Sequence, residues 1–268
     1  MNRVVVITGG TSGIGEACAK EFTKNGDTVV VMSRKNNNHS QNFFMCDVSI
    51  DAMVHDVLEK IHDKFGDFDI LINNAGYGVS GAVELIDEQE SEGIIDVNYF
   101  GVLNCIKHAI PYMKKGSKII NMSSACALFP LPFRALYCAS KSAVNNLSFS
   151  VAMEVKPLGI DVIAVCPGDV KTNFTRNRVK VNVTNEHYGA RIKNAAEAID
   201  SREDKRMSPE VVGKRVYKIS NKKHPKPMFI VGAKYKFLYF LTKIFPKRWI
   251  YGFIYRYFGG FKPVKKSK

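Results

Sequence analysis

The stretch Val4-Val5-Val6-Ile7-Thr8-Gly9-Gly10-Thr11-Ser12-Gly13-Ile14-Gly15 decides the fold. It opens on a continuous, mostly β-branched run, the pattern of a strand buried on both faces. Residues 16–25 then read as a helix, with Gly26 as its stop. Strand, glycine turn and helix together make the context that a phosphate-cradling loop requires. Gly9 permits the tight turn, Gly13 lets backbone approach a pyrophosphate, and Gly15 lets the helix pack closely. Thr11, Ser12 and Ile14 complete the loop, and the helix start offers free N–H groups to an anion. The competing reading is an ordinary βα turn, which the flanking pattern disfavours.

Working outward, residues 28–32 form a second apolar strand that ends at Ser33-Arg34-Lys35. A site that holds a ribose 2′-hydroxyl places an acid about twenty positions after the loop. Here that position is Ser33, and two cations follow. A hydroxyl beside Arg34 and Lys35 suits a 2′-phosphate, which predicts NADP(H) over NAD(H); the bland alternative is two solvated cations. Residues 43–46 are a third strand leading to Asp47-Val48. There a carboxylate can accept from an adenine amino group while the valine packs on its ring. Residues 50–64 read as a helix with Met53, Val54, Val57, Leu58 and Ile61 on one face. Residues 68–72 are a fourth strand, ending in Asn73-Asn74-Ala75-Gly76. The alternation of short apolar strands with helices predicts an α/β fold. It is a Rossmann-like, doubly wound parallel sheet of about seven strands, with helices on both faces and ligands at the carboxyl ends of the strands.

Residues 88–113 read as one long helix with Asn98 near its middle. Asn is mildly unfavourable there, and its apolar neighbours Val97, Tyr99 and Phe100 predict a buried role. Residues 118–122 are a fifth strand with Ser123-Ser124 at its end. A loop containing Pro130 and Pro132 leads to Tyr137-Cys138-Ala139-Ser140-Lys141. A tyrosine and a lysine four residues apart share one helix face. An ammonium beside a phenol stabilises the phenolate and lowers its pKa, giving a proton donor and acceptor near neutral pH. Alone, such a pair is common on solvated helices. Gly159 stops this helix, residues 160–165 form a sixth strand, and Cys166-Pro167-Gly168-Asp169-Val170-Lys171-Thr172 follows.

In their order and spacing these motifs resemble the short-chain dehydrogenase/reductase family over residues 4–172. The resemblance implies that Tyr137 is the general acid in carbonyl reduction and the base in alcohol oxidation. Lys141 would lower its pKa and hold the nicotinamide ribose hydroxyls. Ser124, thirteen residues before the tyrosine, would orient the substrate oxygen; Ser123 competes for that role, but the family's spacing favours Ser124. Asn98 would anchor a water in a proton relay to Lys141. Asn74, Ala75, Gly76, Pro167, Gly168, Val170 and Thr172 would line the cofactor. The protein's task is then position and proton traffic around a hydride transfer, with no metal. The family also implies a homodimer or homotetramer, paired through the helices around 98 and 145. A non-catalytic dinucleotide sensor is the competing class. The full set of Asn98, Ser124, Tyr137 and Lys141 argues against it.

The composition sets the remaining bounds. A chain of 268 residues with 46% hydrophobic content builds a substantial core. Its six cysteines form no C-x-x-C pair and no zinc spacing, which predicts buried thiols in a reducing compartment. Met1-Asn2-Arg3 runs straight into the first strand and leaves no room for a secretory signal, so a cytoplasmic location is predicted. The net charge of +14 is uneven: sixteen of the 39 basic side chains, and none of the 25 acidic ones, lie from Lys214 onward.

The domain reading places a Rossmann domain over residues 1–232. Within it, residues 173–207 form a substrate lid with a helical piece at Ala195-Ala196-Glu197-Ala198. Ser208-Pro209-Glu210 starts a helix running to 220, and residues 228–231 are the last strand. Residues 233–268 are a basic, aromatic extension. Its apolar runs fall well short of the roughly twenty residues that cross a bilayer. It either packs over the substrate pocket or a subunit partner, or lies on an anionic membrane surface as a peripheral attachment. A nucleic-acid role is disfavoured by its apolar density. The first two readings suit a lipophilic ketone or secondary alcohol such as a steroid, bile acid or long-chain lipid. Residues 262–268 read as a solvated tail.

Overall fold

The apolar runs of the sequence become the centre of a three-layer structure. The computed structural model describes residues 2–37, 39–174, 178–181, 186–200, 206–259 and 261. The first half contains β1 (Val4–Thr8), α1 (Gly13–Lys24), β2 (Thr28–Ser33), β3 (Phe43–Met45), α2 (Asp51–Phe65), β4 (Phe68–Asn73), β5 (Val79–Ser80), α3 (Glu88–Ile95), α4 (Gly101–Ala109) and β6 (Met113–Met122). The second contains α5 (Ala135–Glu154), β7 (Asp161–Pro167), β8 (Val179–Lys180), α6 (Arg191–Asp200), α7 (Pro209–Ser220), β9 (Met228–Val231), α8 (Ala233–Ile244) and α9 (Lys247–Phe258).

Seven strands form one sheet in the order β3-β2-β1-β4-β6-β7-β9, and every neighbouring pair is parallel. The strand order reverses between β1 and β4, which opens a crevice at the carboxyl ends. Side chains alternate between the two faces. Ile70 and Ile72 join Val5, Ile7 and Ile120 in the layer with Phe22 of α1 and Val212 and Val216 of α7. Leu71 joins Val4, Val6 and Ile119 in the layer formed with α2, α4 and α5. Burial on both faces explains why the strands read as unbroken apolar runs.

One polar chain crosses the second layer. Asn73 Nδ2 of β4 donates to Asn121 Oδ1 of β6 at 2.8 Å, and Asn121 Nδ2 donates to Ser148 Oγ of α5 at 2.9 Å. Buried amides need such partners, and these partners seat α5 at one register against the sheet.

Residues 88–113 are not one helix. After α3, Asp96–Phe100 forms a single π-helical turn, then α4 runs to Ala109. Pro111 cannot donate an amide proton; a 3₁₀ turn takes over at Ile110–Tyr112, and β6 begins at Met113. The wider π turn accommodates one extra residue, a device common at functional sites, and Asn98 within it is fully buried. The short parallel ribbon β5–β8 was also not foreseen. Residues 175–177, 182–185 and 201–205 of the predicted lid, and the predicted tail 262–268, lie outside the described residues.

The extension folds as two helices. Tyr235, Leu238 and Tyr239 of α8 and Ile250, Ile254 and Phe258 of α9 share a cluster with Ala125 and Phe129. Their three- and four-residue spacing is that of one helix face. The Tyr235 ring lies on the backbone of Gly168, in the space any β-carbon there would need. Arg191 of α6 clamps the far end: Nε donates to the Gly259 carbonyl at 3.1 Å, and the guanidinium sits 4.2 Å from the Phe261 ring centre. Among the described residues, no helix is long and apolar enough to cross a membrane.

Candidate active site

The glycine loop is held by β4. Thr8 Oγ1 accepts from the amides of Asn74 at 2.9 Å and Ala75 at 3.0 Å, and Asn74 Nδ2 donates to the carbonyls of Thr8 and Gly9, both at 3.1 Å. Asn74 therefore braces the loop as well as facing the cleft. Gly9 and Gly13 both take positive φ, 63° and 55°. Ser12 precedes α1 with extended backbone and no side-chain cap, so the first amides of the helix are left for a ligand.

The cleft continues across the carboxyl ends of β2 and β3. Ser33 Oγ lies 3.3 Å from Thr11 Oγ1, and Arg34 is exposed without an ion pair among the described residues. Asp47 and Val48 line the same cleft. Asp47 Oδ1 already accepts from Ser49 through N–H at 3.1 Å and Oγ at 2.7 Å, so an adenine donor would use Oδ2. Pro167, Gly168, Val170 and Thr172, at and beyond the end of β7, form the opposite wall with Ile14. Gly15 does not line the cleft; it packs against the Gly9 carbonyl, as its helix-packing role requires.

Farther along the same cavity, of about 1400 Å³, stand Ser124, Tyr137 and Lys141. Lys141 is 4% exposed, and its Nζ donates to the Met122 carbonyl at 3.0 Å. An ammonium has three protons, so two are not used by this bond. Ser123 Oγ donates to the Lys141 carbonyl at 3.0 Å and is thereby engaged in structure. Ser124, by contrast, is hydrogen-bonded to Tyr137, and its Oγ accepts from the Cys126 amide at 3.1 Å. Asn98 is outside the cavity wall. Its Oδ1 accepts from the Tyr77 amide at 3.0 Å; its Nδ2 donates to the Tyr77 carbonyl at 3.0 Å and to Ser140 Oγ at 3.1 Å. Gly76 is required between these groups: a β-carbon there would come 2.8 Å from Asn98 Oδ1 and 3.4 Å from Lys141 Nζ.

The electrostatics differ from the sequence expectation at Tyr137. Burial pushes its phenol above the ordinary range, the neighbouring Cys126 thiol adds to this, and Arg134 and Ser124 pull only part of it back. Burial also pushes Lys141 down, to about 8. Both shifts come from desolvation, which penalises whichever form is charged, and desolvation is a property of the packed site.

Three neighbours of Tyr137 escaped the sequence reading. The Arg134 guanidinium lies 4.7 Å from its ring centre, Phe174 packs at 5.6 Å, and Cys126 lies within electrostatic reach. The only sequence signal was one cation inside the apolar run Leu131-Pro132-Phe133-Arg134-Ala135-Leu136. The extension supplies the remaining wall through Leu238, Leu241, Phe245, Trp249, Ile250 and Ile254.

A glycine cradle with open helix amides, a cation past β2 and a buried Tyr–Lys pair fit a nicotinamide dinucleotide. Comparison with known proteins agrees. The family described as short chain dehydrogenase is matched by residues 3–182, and the chain belongs to that family. It is 36% identical over 247 residues to a 3-ketodihydrosphingosine reductase of Bacteroides thetaiotaomicron, covering 90% of this chain and 92% of the relative. It is 33% identical over 187 residues to a 3beta-hydroxysteroid dehydrogenase of Mediterraneibacter gnavus, covering 65% and 68%. Among solved structures, ElxO with NADP bound superposes with a TM-score of 0.72 at 27% identity, covering 88% of this chain and 99% of that one. The chain is an oxidoreductase on a dinucleotide-binding fold.

A pH profile tests the Lys141 environment. If the ammonium assists proton delivery from Tyr137, kcat/KM for carbonyl reduction falls as pH rises through about 8, where buried Lys141 loses its charge. Lys141→Arg, which stays charged, removes that inflection from whatever activity it retains. A profile flat to well above that pH contradicts the assignment.

Proposed function

We propose that this chain interconverts a lipophilic ketone and its secondary alcohol, using NADP(H). The observation that carries this reading is a single cavity. It has Ser124, Tyr137 and Lys141 at one end and the apolar side chains of α8 and α9 at the other. Steroids, bile acids and long-chain lipids have the hydrocarbon to fill such a wall. The named activities of the lipid-ketone and hydroxysteroid relatives support the same class.

The dinucleotide, when bound, supplies or accepts the hydride. Everything else falls to this chain. Ser124 Oγ and the Tyr137 hydroxyl donate to the substrate oxygen and fix the carbonyl for attack. In reduction the Tyr137 proton passes to that oxygen as the carbon takes the hydride. Lys141 stabilises the resulting phenolate. Asn98 has its side chain committed to Tyr77 and Ser140, so any relay water it holds is held by its main-chain carbonyl. A phenol held above its ordinary pKa is protonated at neutral pH, the state in which it can act as the acid in reduction. Asn173, Phe174 and Val179, which line the cavity, belong to the substrate lid, and the family reading makes the enzyme a homodimer or homotetramer.

Ser33 and Arg34 support NADP(H): a hydroxyl and a cation without an ion pair among the described residues stand just past β2, where the loop reading expects a ribose 2′-phosphate. A panel of ketones followed by cofactor absorbance tests both halves of the proposal. NADPH supports turnover better than NADH, and steroid or fatty ketones outperform small polar ones. Arg34→Asp shifts the kcat/KM ratio towards NADH by about tenfold or more, as loss of a charged hydrogen bond requires. An unshifted ratio sinks the cofactor assignment; preference for small polar ketones sinks the substrate class.

The outer face of the extension supports peripheral attachment of this otherwise cytoplasmic enzyme to an anionic membrane. Phe237, Phe240, Trp249 and Phe253 are 58–67% exposed, and the cations of residues 233–261 have no acid among them. Trp249 and Phe253 also line the cavity, so its mouth would open toward the lipid. Phe240→Glu with Trp249→Glu abolishes co-sedimentation with phosphatidylserine vesicles while the protein stays folded by circular dichroism. Wild-type protein that fails to sediment, or a double variant that still does, contradicts membrane docking.

A further inference from the structure

Arg134 is a buried charged group beside Tyr137 that the reaction above does not use. It caps the N-terminus of α5, three residues before Tyr137, and lines the cavity. It is only 8% exposed. Its Nε is buried without a hydrogen-bond partner, and among the described residues no carboxylate comes within ion-pair distance of it. Four neighbours can carry negative charge: the Cys126 and Cys138 thiols, the Tyr137 phenol and the Asp169 carboxylate. The two free thiols share a hydrogen bond, and Asp169 accepts from the Tyr235 hydroxyl. A guanidinium taken this far from water, with its fork unpaired, is costly unless something else completes it.

The backbone holds it there. Phe133 sits at φ 60°, a left-handed conformation that bulky residues rarely adopt. Its carbonyl accepts from the Gly81 amide at 3.0 Å, and its ring packs against Tyr188. The turn aims the next side chain inward, over the Tyr137 ring at 4.7 Å.

We propose that Arg134 is an anion subsite, and that the substrate is a lipophilic keto acid whose carboxylate lies within a few bonds of the reacting carbonyl. The inference rests on the reading that this cavity binds the substrate of Tyr137. A guanidinium fork matches a carboxylate in bidentate geometry. With the ketone oxygen at Ser124 and Tyr137, the acid meets Arg134 beside the same ring, and the hydrocarbon remainder runs along α8 and α9. A ketone with an ammonium in that place is repelled.

The test compares a long-chain γ-keto acid with its methyl ester, at saturating NADPH. Wild-type enzyme favours the acid in kcat/KM by about 10- to 100-fold, the range of a charged hydrogen bond. Arg134→Gln lowers kcat/KM for the acid by at least about tenfold more than for the ester, which erases the preference, and Arg134→Lys keeps part of it. Equal or reversed preference in the wild type overturns the subsite without recourse to any variant. An Arg134→Gln loss shared equally by acid and ester also overturns it, since that marks Arg134 as an electrostatic neighbour of Tyr137 alone. A binding arm separates this inference from the reaction itself. By calorimetry in the presence of NADP⁺, laurate binds wild type more tightly than dodecanol, and Arg134→Gln equalises them. Laurate that binds no better than dodecanol overturns the subsite. Discrimination between the two without turnover of any ketone upholds the subsite and contradicts only the proposed chemistry.

Discussion

The site depends on how α5 is seated against the carboxyl end of β6. Lys141 sends its ammonium into the protein to the Met122 carbonyl, and Ser123 returns a hydroxyl to the Lys141 carbonyl. Two turns further along α5, Asn121 reaches Ser148. A buried ammonium needs an acceptor at one position and nowhere else, so these contacts fix the helix in rotation and in height. Tyr137, one turn earlier, is then brought beside Ser124 without further adjustment. The π turn around Asn98 belongs to the same arrangement, because its side chain joins the Tyr77 backbone to Ser140 on α5. Proton chemistry and cofactor cradle are thus two ends of one braced sheet edge.

The same burial that positions the tyrosine and lysine also sets their protonation. Removing both from water raises the phenol and lowers the ammonium. Neither shift follows from Tyr-x-x-x-Lys spacing, which on an exposed helix would give a modest effect of opposite sign on the phenol. The extension adds to this dryness. Its helices bring one apolar face to Ala125 and Phe129 and leave a second apolar face outside. A helix pair apolar on two faces needs something to cover the outer one, and its cations select the kind of surface that could.

Much of this was legible in the residues themselves. The strands were readable because a parallel sheet buried on both faces is built mostly from apolar positions. The loop was readable because close backbone approach admits only glycine. Ser124 was separable from Ser123 only by family spacing, and the bond from Ser123 to Lys141 supplies the physical reason. What could not be read depends on tertiary context. The break at 96–100 was hidden in an apolar run that fits one helix equally well. The β5–β8 ribbon is two residues long on each side, too short for any periodicity. Arg134 drew no reading from the sequence, because its burial beside Tyr137 follows a turn in which Phe133 takes φ 60°. The extension's aromatic content was plain, but its division between a cavity wall and an outer face follows from two helices meeting at Pro246.

The central claim is that Tyr137 delivers the proton in a reaction for which the rest of the chain only positions the partners. Single-turnover reduction with NADPH preloaded on Tyr137→Phe tests it most directly, with NADPH affinity measured in parallel by fluorescence. The account predicts a hydride-transfer rate lowered by about a thousandfold or more, within the range of general acid catalysis, and cofactor affinity within about threefold of wild type. A variant that retains a tenth of the wild-type rate, or whose loss is explained by failure to hold NADPH, contradicts it.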